Sequence, residues 1–186
     1  MASIEGLISA YERFVGGEWA RSVAPRERIW FALYEPRDER RLRSRIGAFE
    51  EATIRAGHGW LGCDLTDDFA RWMASQEYRE SYFESPELLT EDLLDDFADS
   101  VAASVRRVLE SPAAREGSVV AVPGVASLFG FARVSALLDR VAPKVRGRLL
   151  IFFPGEHDGA NYRLLDARDG WNYLAIPITA QEGGKT

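Results

Sequence analysis

The stretch IFFPGEHDGANYRLLDARDGWNYLAIPI, from Ile151 to Ile178, decides the fold because it begins as one buried strand and ends as another. Its interior, residues 154–170, has no room for a crossover helix. The sequences YRLL and WNYLAIPI instead predict a hairpin across DARDG, whose Asp and Gly residues suit a short loop. A polar loop at 155–161 is predicted at the carboxyl end of the first strand, where open α/β sheets place ligands and partners.

Short apolar runs elsewhere in the chain predict further buried strands. Continuous rather than alternating apolar residues are typical of strands covered on both faces, as in parallel sheets. The predicted strands are 29–34, 119–122, 149–153 and 173–178, with 59–65 as a fifth. Because helical patterns lie between these runs, we predict a single three-layer α/β domain over residues 1–179 and a flexible tail at 180–186. Its mostly parallel, Rossmann-like sheet has about five strands and a C-terminal hairpin.

Helix signals fall where the crossovers are expected. Apolar residues at helical spacing predict helices over 37–56, 90–109 and 127–141. A further helix is predicted after Thr66, which we interpret as its N-cap. Phe69, Trp72 and Met73 form the predicted buried face of that helix, so we assign these side chains to the core rather than to a ligand site.

Composition narrows the class of protein. A chain of 186 residues with 46% hydrophobic residues is long enough for one well-packed core. The net charge of −6 argues against direct nucleic-acid binding, which favours a basic surface. Cys63 is the only cysteine, so the chain forms no internal disulfide, and its apolar neighbours predict a buried, inert thiol. No signal-peptide pattern or bilayer-spanning run occurs, which predicts a cytoplasmic protein.

Two short motifs resemble nucleotide or acyl-transfer sites but lack the residues or the neighbouring helix that such sites require. The terminal GGKT has no helix after it, so it cannot form a phosphate-binding loop. The stretch VPGVASLFGF, residues 122–131, lies between a strand and a helix but lacks the phosphate-binding lysine. Ser127 also lacks the G-x-S-x-G spacing of a nucleophile elbow. We therefore predict a tight turn here, with no functional P-loop and no cofactor.

Of the metal sites considered, the sequence leaves only a magnesium site as an alternative. His58, Cys63 and His157 have none of the spacings typical of zinc ligands, so we assign no metal residues. A magnesium site has no strict spacing, and Glu156, Asp158 and Asp166 leave a small metal-dependent phosphohydrolase or nuclease as an alternative. The other interpretation is that these acids cap turns and keep the loop soluble.

The run RDERRLRSR contains five arginines. Arg37, Arg41 and Arg45 fall on one helical row, which could bind phosphates or an acidic partner because guanidinium groups bind oxyanions bidentately. A DNA-binding module is therefore a second alternative. The commoner explanation of such a row is a solvated helix face.

Several blocks of the chain are distinctive when taken together: DERRLRSRIGAFE, AGHGW, DLTDDFARWMASQEYRESYF, GVASLFGFARVSALL and GRLLIFFPGEHDGANYRLLDARDGWNYLAIPI. In this order they resemble BrxB, the small component of bacteriophage-exclusion (BREX) defence systems. The resemblance covers nearly the whole chain to about Ile178.

The resemblance implies a prokaryotic antiphage protein that works beside a PglZ-type protein, the ATPase BrxC and the methyltransferase PglX. It supplies no catalytic residues, so it implies a non-catalytic adaptor in a defence complex, with the PglZ-type protein as the foremost partner. We assign partner recognition to the hairpin region 155–172, because Trp, Tyr and Arg are frequent interface hot spots. Its candidate contact residues are Glu156, Tyr162, Arg163, Arg168 and Trp171.

Overall fold

The computed structural model describes residues 3–20, 22–165, 167 and 171–180. Its helices are α1 (Ile4–Val15), α2 (Glu39–Arg55), α3 (Asp68–Ser75), α4 (Arg79–Glu84), α5 (Glu91–Leu109) and α6 (Val134–Val141). Its strands are β1 (Ile29–Tyr34), β2 (Gly59–Gly62), β3 (Ser118–Val122), β4 (Arg148–Asp158), β5 (Asn161–Leu164), β6 (Trp171–Asn172) and β7 (Ile176–Ile178).

Five strands form a parallel sheet in the order β2-β3-β4-β1-β7. The longest pairing joins β1 to β4, from Ile29 opposite Leu149 to Tyr34 opposite Pro154. All six residues of β1 are buried, as a strand covered on both faces requires. The predicted α/β class, the mostly parallel sheet and its size are therefore confirmed.

Each face of the sheet has its own hydrophobic core. On one face, α1 and α2 pack against alternate residues of β1 such as Trp30 and Ala32. On the other face, α3, α5 and α6 pack against Phe31 and the residues that alternate with it. Because the strand side-chain period is two, these two sets separate cleanly into a three-layer domain.

The C-terminal hairpin differs from its prediction in where it turns. The predicted loop at 155–161 is wrong, because β4 continues to Asp158 and pairs antiparallel with β5. A Cβ at Gly155 would lie 1.9 Å from the Arg163 carbonyl oxygen, so the two strands approach closely only with glycine here. The hairpin folds back over the sheet, where Tyr162 packs edge-on against Phe31 at a centroid distance of 4.6 Å. It thus covers β1 on the face of α5 and α6.

The predicted pairing on either side of DARDG is confirmed, although most of that loop lies outside the described residues. Strands β5 and β6 pair across residues 165–170, with Tyr162 opposite Trp171. The predicted strand 173–178 is too long, because residues 173–175 form no strand and only β7 remains of it. WNYLAIPI as a whole was predicted to pair with YRLL, but only β6 pairs with β5, whereas β7 pairs with β1. The residues between β6 and β7 carry the chain from the hairpin to the sheet, and the Ala175 carbonyl accepts a hydrogen bond from the Tyr162 hydroxyl (2.7 Å).

Two helix starts also differ from prediction. Asp67, not Thr66, is the N-cap of α3, because the Thr66 hydroxyl bonds to Asp64 instead. The predicted helix 127–141 begins only at Val134, and residues 125–128 form a 3₁₀ turn instead. The start of α5 is as predicted, with the Thr90 hydroxyl accepting from the Leu93 amide.

Candidate functional site

A cluster of polar side chains lies at the carboxyl ends of the parallel strands. Arg43 of α2 is its centre: its Nε lies 2.7 Å from Glu39 Oε1, and its terminal nitrogens lie 2.6 Å from Thr66 Oγ1 and 3.4 Å from Asp64 Oδ2. The Tyr34 hydroxyl, at the end of β1, donates to Glu39. We call Tyr34, Glu39, Arg43, Asp64 and Thr66 the carboxyl-edge cluster. It ties α2 to the ends of β1 and β2.

The turn after β3 packs directly against this cluster. Gly124 has a left-handed backbone with φ of 87°. A Cβ there would lie 2.6 Å from the Thr66 nitrogen and 2.8 Å from Asp64 Oδ1. The Ser127 hydroxyl lies 2.7 Å from the Gly124 carbonyl and 3.0 Å from the Leu65 carbonyl. The predicted tight turn is thus confirmed, and it approaches Thr66 and Asp64 so closely that only glycine fits at position 124.

The surroundings shift the pKa values of several groups at this edge. Burial raises the pKa of Asp64, but hydrogen bonds from Thr66 and the charge of Arg43 outweigh it and hold that pKa below its usual value. Burial, followed by the hydrogen bond to Glu39, raises the pKa of Tyr34. Burial, followed by the negative charges of Asp68 and Asp64, raises the pKa of Cys63 to about 11, so the thiol stays protonated at neutral pH. Cys63 is buried as predicted.

The predicted basic row lies apart from the cluster. Arg41 pairs with Glu5 of α1 at 2.8 Å, and Arg37 pairs with Glu35 at 2.7 Å. Arg45 is exposed on α2. Sequence reasoning grouped these three by spacing and missed Arg43, which belongs to the same run and reaches the strand ends. The available signal was its position, four residues after Glu39 and directly after the buried Leu42.

The hairpin candidates divide between surface and core. Glu156 and Arg163 are exposed and lie opposite each other on β4 and β5. Tyr162 is 0% exposed, so its assignment as a contact residue was wrong: its ring belongs to the core. Arg168 lies outside the described residues, and the structure gives only the backbone pairing of Trp171.

The acids considered for magnesium are not gathered into a site within the described part of the chain. There, no three His, Cys, Asp or Glu side chains lie close enough to hold one metal ion. Asp158 is exposed on β4, next to the hairpin turn. Glu156 is exposed on the same strand, and Asp166 lies outside the described residues. His58 stacks on Trp19 at a centroid distance of 3.6 Å.

A shallow groove of about 740 Å³ lies at the opposite end of the sheet, between the residues before β1, the end of α6 and the hairpin turn. Its walls are mostly small apolar side chains. At its rim, Arg26 pairs with Asp139 at 2.9 Å and lies over the Tyr173 ring at 5.2 Å. Burial raises the pKa of Tyr173 to about 12, and its hydroxyl has no hydrogen-bond partner among the described residues.

The family comparison identifies what kind of protein carries this arrangement. A family model described as BREX protein BrxB matches residues 66–178, which is more than half of the chain. The chain belongs to the BrxB family. Membership confirms the resemblance found in the sequence and makes the protein a component of a BREX defence system.

Searches of curated proteins and of solved structures found no match. Over the part of the chain that the structure describes, no helix combines the length and the apolar character needed to cross a membrane. The BrxB match runs from the end of the carboxyl-edge cluster through β7, and it includes the hairpin as well as α4.

Within the BrxB match, the segment 77–90 exposes large apolar side chains. We call it the α4 segment, since it contains α4 and the 3₁₀ turn that follows it. Tyr78, Phe83 and Leu88 are 63%, 65% and 48% exposed, and no residue of the segment is fully buried. Only Tyr82 and Leu89 pack against the core and hold the segment in place. Sequence analysis did not single out this surface.

Proposed function

We propose that this BrxB family member is a non-catalytic adaptor that binds another component of its BREX system, foremost the PglZ-type protein. The observation that carries the proposal is the exposure of Tyr78, Phe83 and Leu88 within ten residues of each other along the chain. Scattered apolar residues are normal on a protein surface, but a group of large ones is typical of an interaction site.

The carboxyl-edge cluster supports the same proposal from the other side. In α/β enzymes, this edge usually holds the groups that bind substrate. Here Arg43 bonds to Glu39, Asp64 and Thr66, and these bonds hold α2 against the strand ends. Because these side chains bond to one another, we assign them to stabilising the domain. Partner binding is then assigned to the exposed surfaces.

The outer side of the hairpin is a second candidate contact surface of the adaptor. Glu156 and Arg163 form an exposed pair of opposite charge, which can orient a partner. Arg168 and Trp171 are close to this pair in sequence, and we retain both as proposed contacts. Arg37, Arg41 and Arg45 remain proposed contacts for an acidic partner on the α2 side.

Co-purification tests the proposal. The tagged chain is co-expressed with the PglZ-type protein, BrxC and PglX, singly and together, and captured from each strain. We expect the PglZ-type protein to be retained in fixed proportion after a high-stringency wash. The isolated chain should hydrolyse neither phosphoesters nor DNA above the blank in Mg²⁺ or Mn²⁺.

Three results would argue against the adaptor. If no component is retained, the binding role fails. If metal-dependent turnover appears and is lost in a folded Glu156→Gln/Asp158→Asn variant, the phosphohydrolase or nuclease alternative replaces it. Salt-sensitive DNA binding that is lost in an Arg37→Ala/Arg41→Ala/Arg45→Ala variant would favour the DNA-binding alternative.

A further inference from the structure

The negative charge of the molecule is concentrated in one part of the sequence. Residues 77–99 contain nine acidic residues and one basic residue, a net charge of −8, whereas the whole chain carries −6. The rest of the chain is therefore slightly basic. The charged part comprises the α4 segment and the first half of α5, which follow each other directly.

Most of these acids have no counter-charge among the described residues. In this part of the chain, which the structure describes throughout, the ion pairs are Arg79 with Glu80 at 3.5 Å and Arg140 with Asp99 at 3.0 Å. The seven other acids are exposed and form no ion pair with a described residue: Glu77, Glu84, Glu87, Glu91, Asp92, Asp95 and Asp96. Only part of this charge serves the helix, because the favourable dipole interaction is limited to the first turn of α5.

In the sequence, the exposed apolar residues lie among these acids. Tyr78, Phe83 and Leu88 alternate along the chain with Glu77, Glu80, Glu84 and Glu87. The backbone around them is held at both ends, by α3 on one side and by the Thr90 cap of α5 on the other. A surface that is already ordered loses little conformational entropy on binding, so its apolar groups contribute more of their burial energy to affinity.

We propose that the α4 segment and the first half of α5 form the docking surface for a protein partner whose own surface is rich in Arg and Lys around apolar pockets. This inference rests on the proposed adaptor function and specifies the partner surface it needs. Tyr78, Phe83 and Leu88 enter the pockets, and the surrounding acids pair with the partner's cations. Nucleic acid and a second copy of the same surface are disfavoured, because both carry the same sign of charge.

The experiment measures binding between the full-length chain and the purified component that co-purifies with it. One variant reverses three acids of the surface, Glu77→Lys/Glu84→Lys/Glu87→Lys. Its matched control reverses three exposed acids outside it, Glu50→Lys/Glu51→Lys/Glu116→Lys, with the same change in net charge. A third variant, Tyr78→Ser/Phe83→Ser, removes apolar contacts and keeps the charge. Circular dichroism and thermal unfolding confirm that each variant is folded.

We expect at least about a tenfold weaker affinity for the acid-reversal and apolar variants, and less than about a twofold change for the control. The wild-type affinity should weaken as the salt concentration is raised from about 50 mM to about 500 mM. The acid-reversal variant should lose most of this salt dependence. Equal weakening by the control would show a general charge effect and overturn the surface. Full binding by all variants would show that the interface lies elsewhere, without contradicting the adaptor function. No binding by the wild-type chain would contradict the adaptor function itself.

Discussion

The carboxyl-edge cluster and the α4 segment differ in whether their side chains are bonded within the fold or exposed to solvent. In the cluster, Arg43 lies within bonding distance of Glu39, Asp64 and Thr66. In the α4 segment, apolar side chains such as Phe83 face solvent, and acids such as Glu84 and Glu87 form no ion pair with described residues. The polar groups of the first region are bonded within the chain, whereas we propose that those of the second are paired by a partner.

This difference separates stability from binding. Groups that are bonded within the fold lower its free energy, so their loss should destabilise the domain. Exposed groups contribute little to the folded state relative to the unfolded chain, because both states leave them in water. Substitutions in the carboxyl-edge cluster should therefore change the stability of the domain, whereas substitutions in the α4 segment should change partner binding.

The largest effect on stability is expected at Trp72, a buried residue of α3 that lies shortly before the α4 segment. Trp72 is 8% exposed and packs against Phe97, with ring centroids 5.3 Å apart. Trp72→Ala should lower the free energy of unfolding by about 3–5 kcal/mol, as large-to-small core changes do. Phe83→Ala, the exposed counterpart, should change it by less than about 0.5 kcal/mol. Urea denaturation measures both, and equal effects would remove the distinction.

Gly124 tests how tightly the carboxyl-edge cluster is packed. Gly124→Ala places a Cβ against Thr66 and Asp64 at a positive φ, so we expect a loss of about 2–3 kcal/mol. Gly130→Ala is the matched control, because its φ is 83° but nothing lies within 4 Å of the added Cβ. It should cost only the backbone strain, about 1 kcal/mol. Similar losses for the two variants would mean that the cluster leaves room beside Gly124.

A smaller, pH-dependent effect is expected at Asp64. Its pKa is lower in the folded state than in the unfolded chain, so its stabilisation is present above about pH 4, the usual range of Asp, and disappears as pH falls through the folded value. Asp64→Asn should lower unfolding free energy by up to about 1 kcal/mol at pH 7, and the difference should shrink below about pH 4. In an Arg43→Met background the pH-dependent part should be smaller. A difference that persists unchanged in acid would contradict this account of the cluster.

The smallest effect on stability is expected on the α4 segment itself. Tyr78→Ser/Phe83→Ser should keep the unfolding temperature within about 2 °C of wild type, because both side chains are mostly exposed. The same variant should lose phage restriction in cells that carry the rest of the system. Restriction at the wild-type level by a folded variant would show that this surface has no role in assembly.

The sequence predicted the sheet well because its strands are continuous apolar runs with few alternative structures. Ile29 to Tyr34 is the clearest case, since all six residues are buried. The hairpin was predicted less well. Residues 155–158 read as a polar loop, yet β5 pairs with them because burying Tyr162 and Leu164 outweighs the local turn preference.

The candidate site was harder to predict because it depends on contacts between distant elements. Arg43 and Asp64 are far apart in sequence, and only the packing of α2 brings them together. Tyr82 and Phe83 are adjacent aromatic residues, yet only Tyr82 packs against the core. No periodicity distinguishes such a pair in a helix as short as α4, because tertiary packing decides which side chain is covered.

The most direct test of the account is amide hydrogen exchange of the full-length chain, alone and in complex with its co-purifying component. Binding to the proposed docking surface should slow exchange in residues 77–99. Exchange around Arg43, Asp64 and Thr66 should stay unchanged, because that cluster is complete without a partner. Protection at the carboxyl-edge cluster with unchanged exchange in residues 77–99 would contradict the central claim.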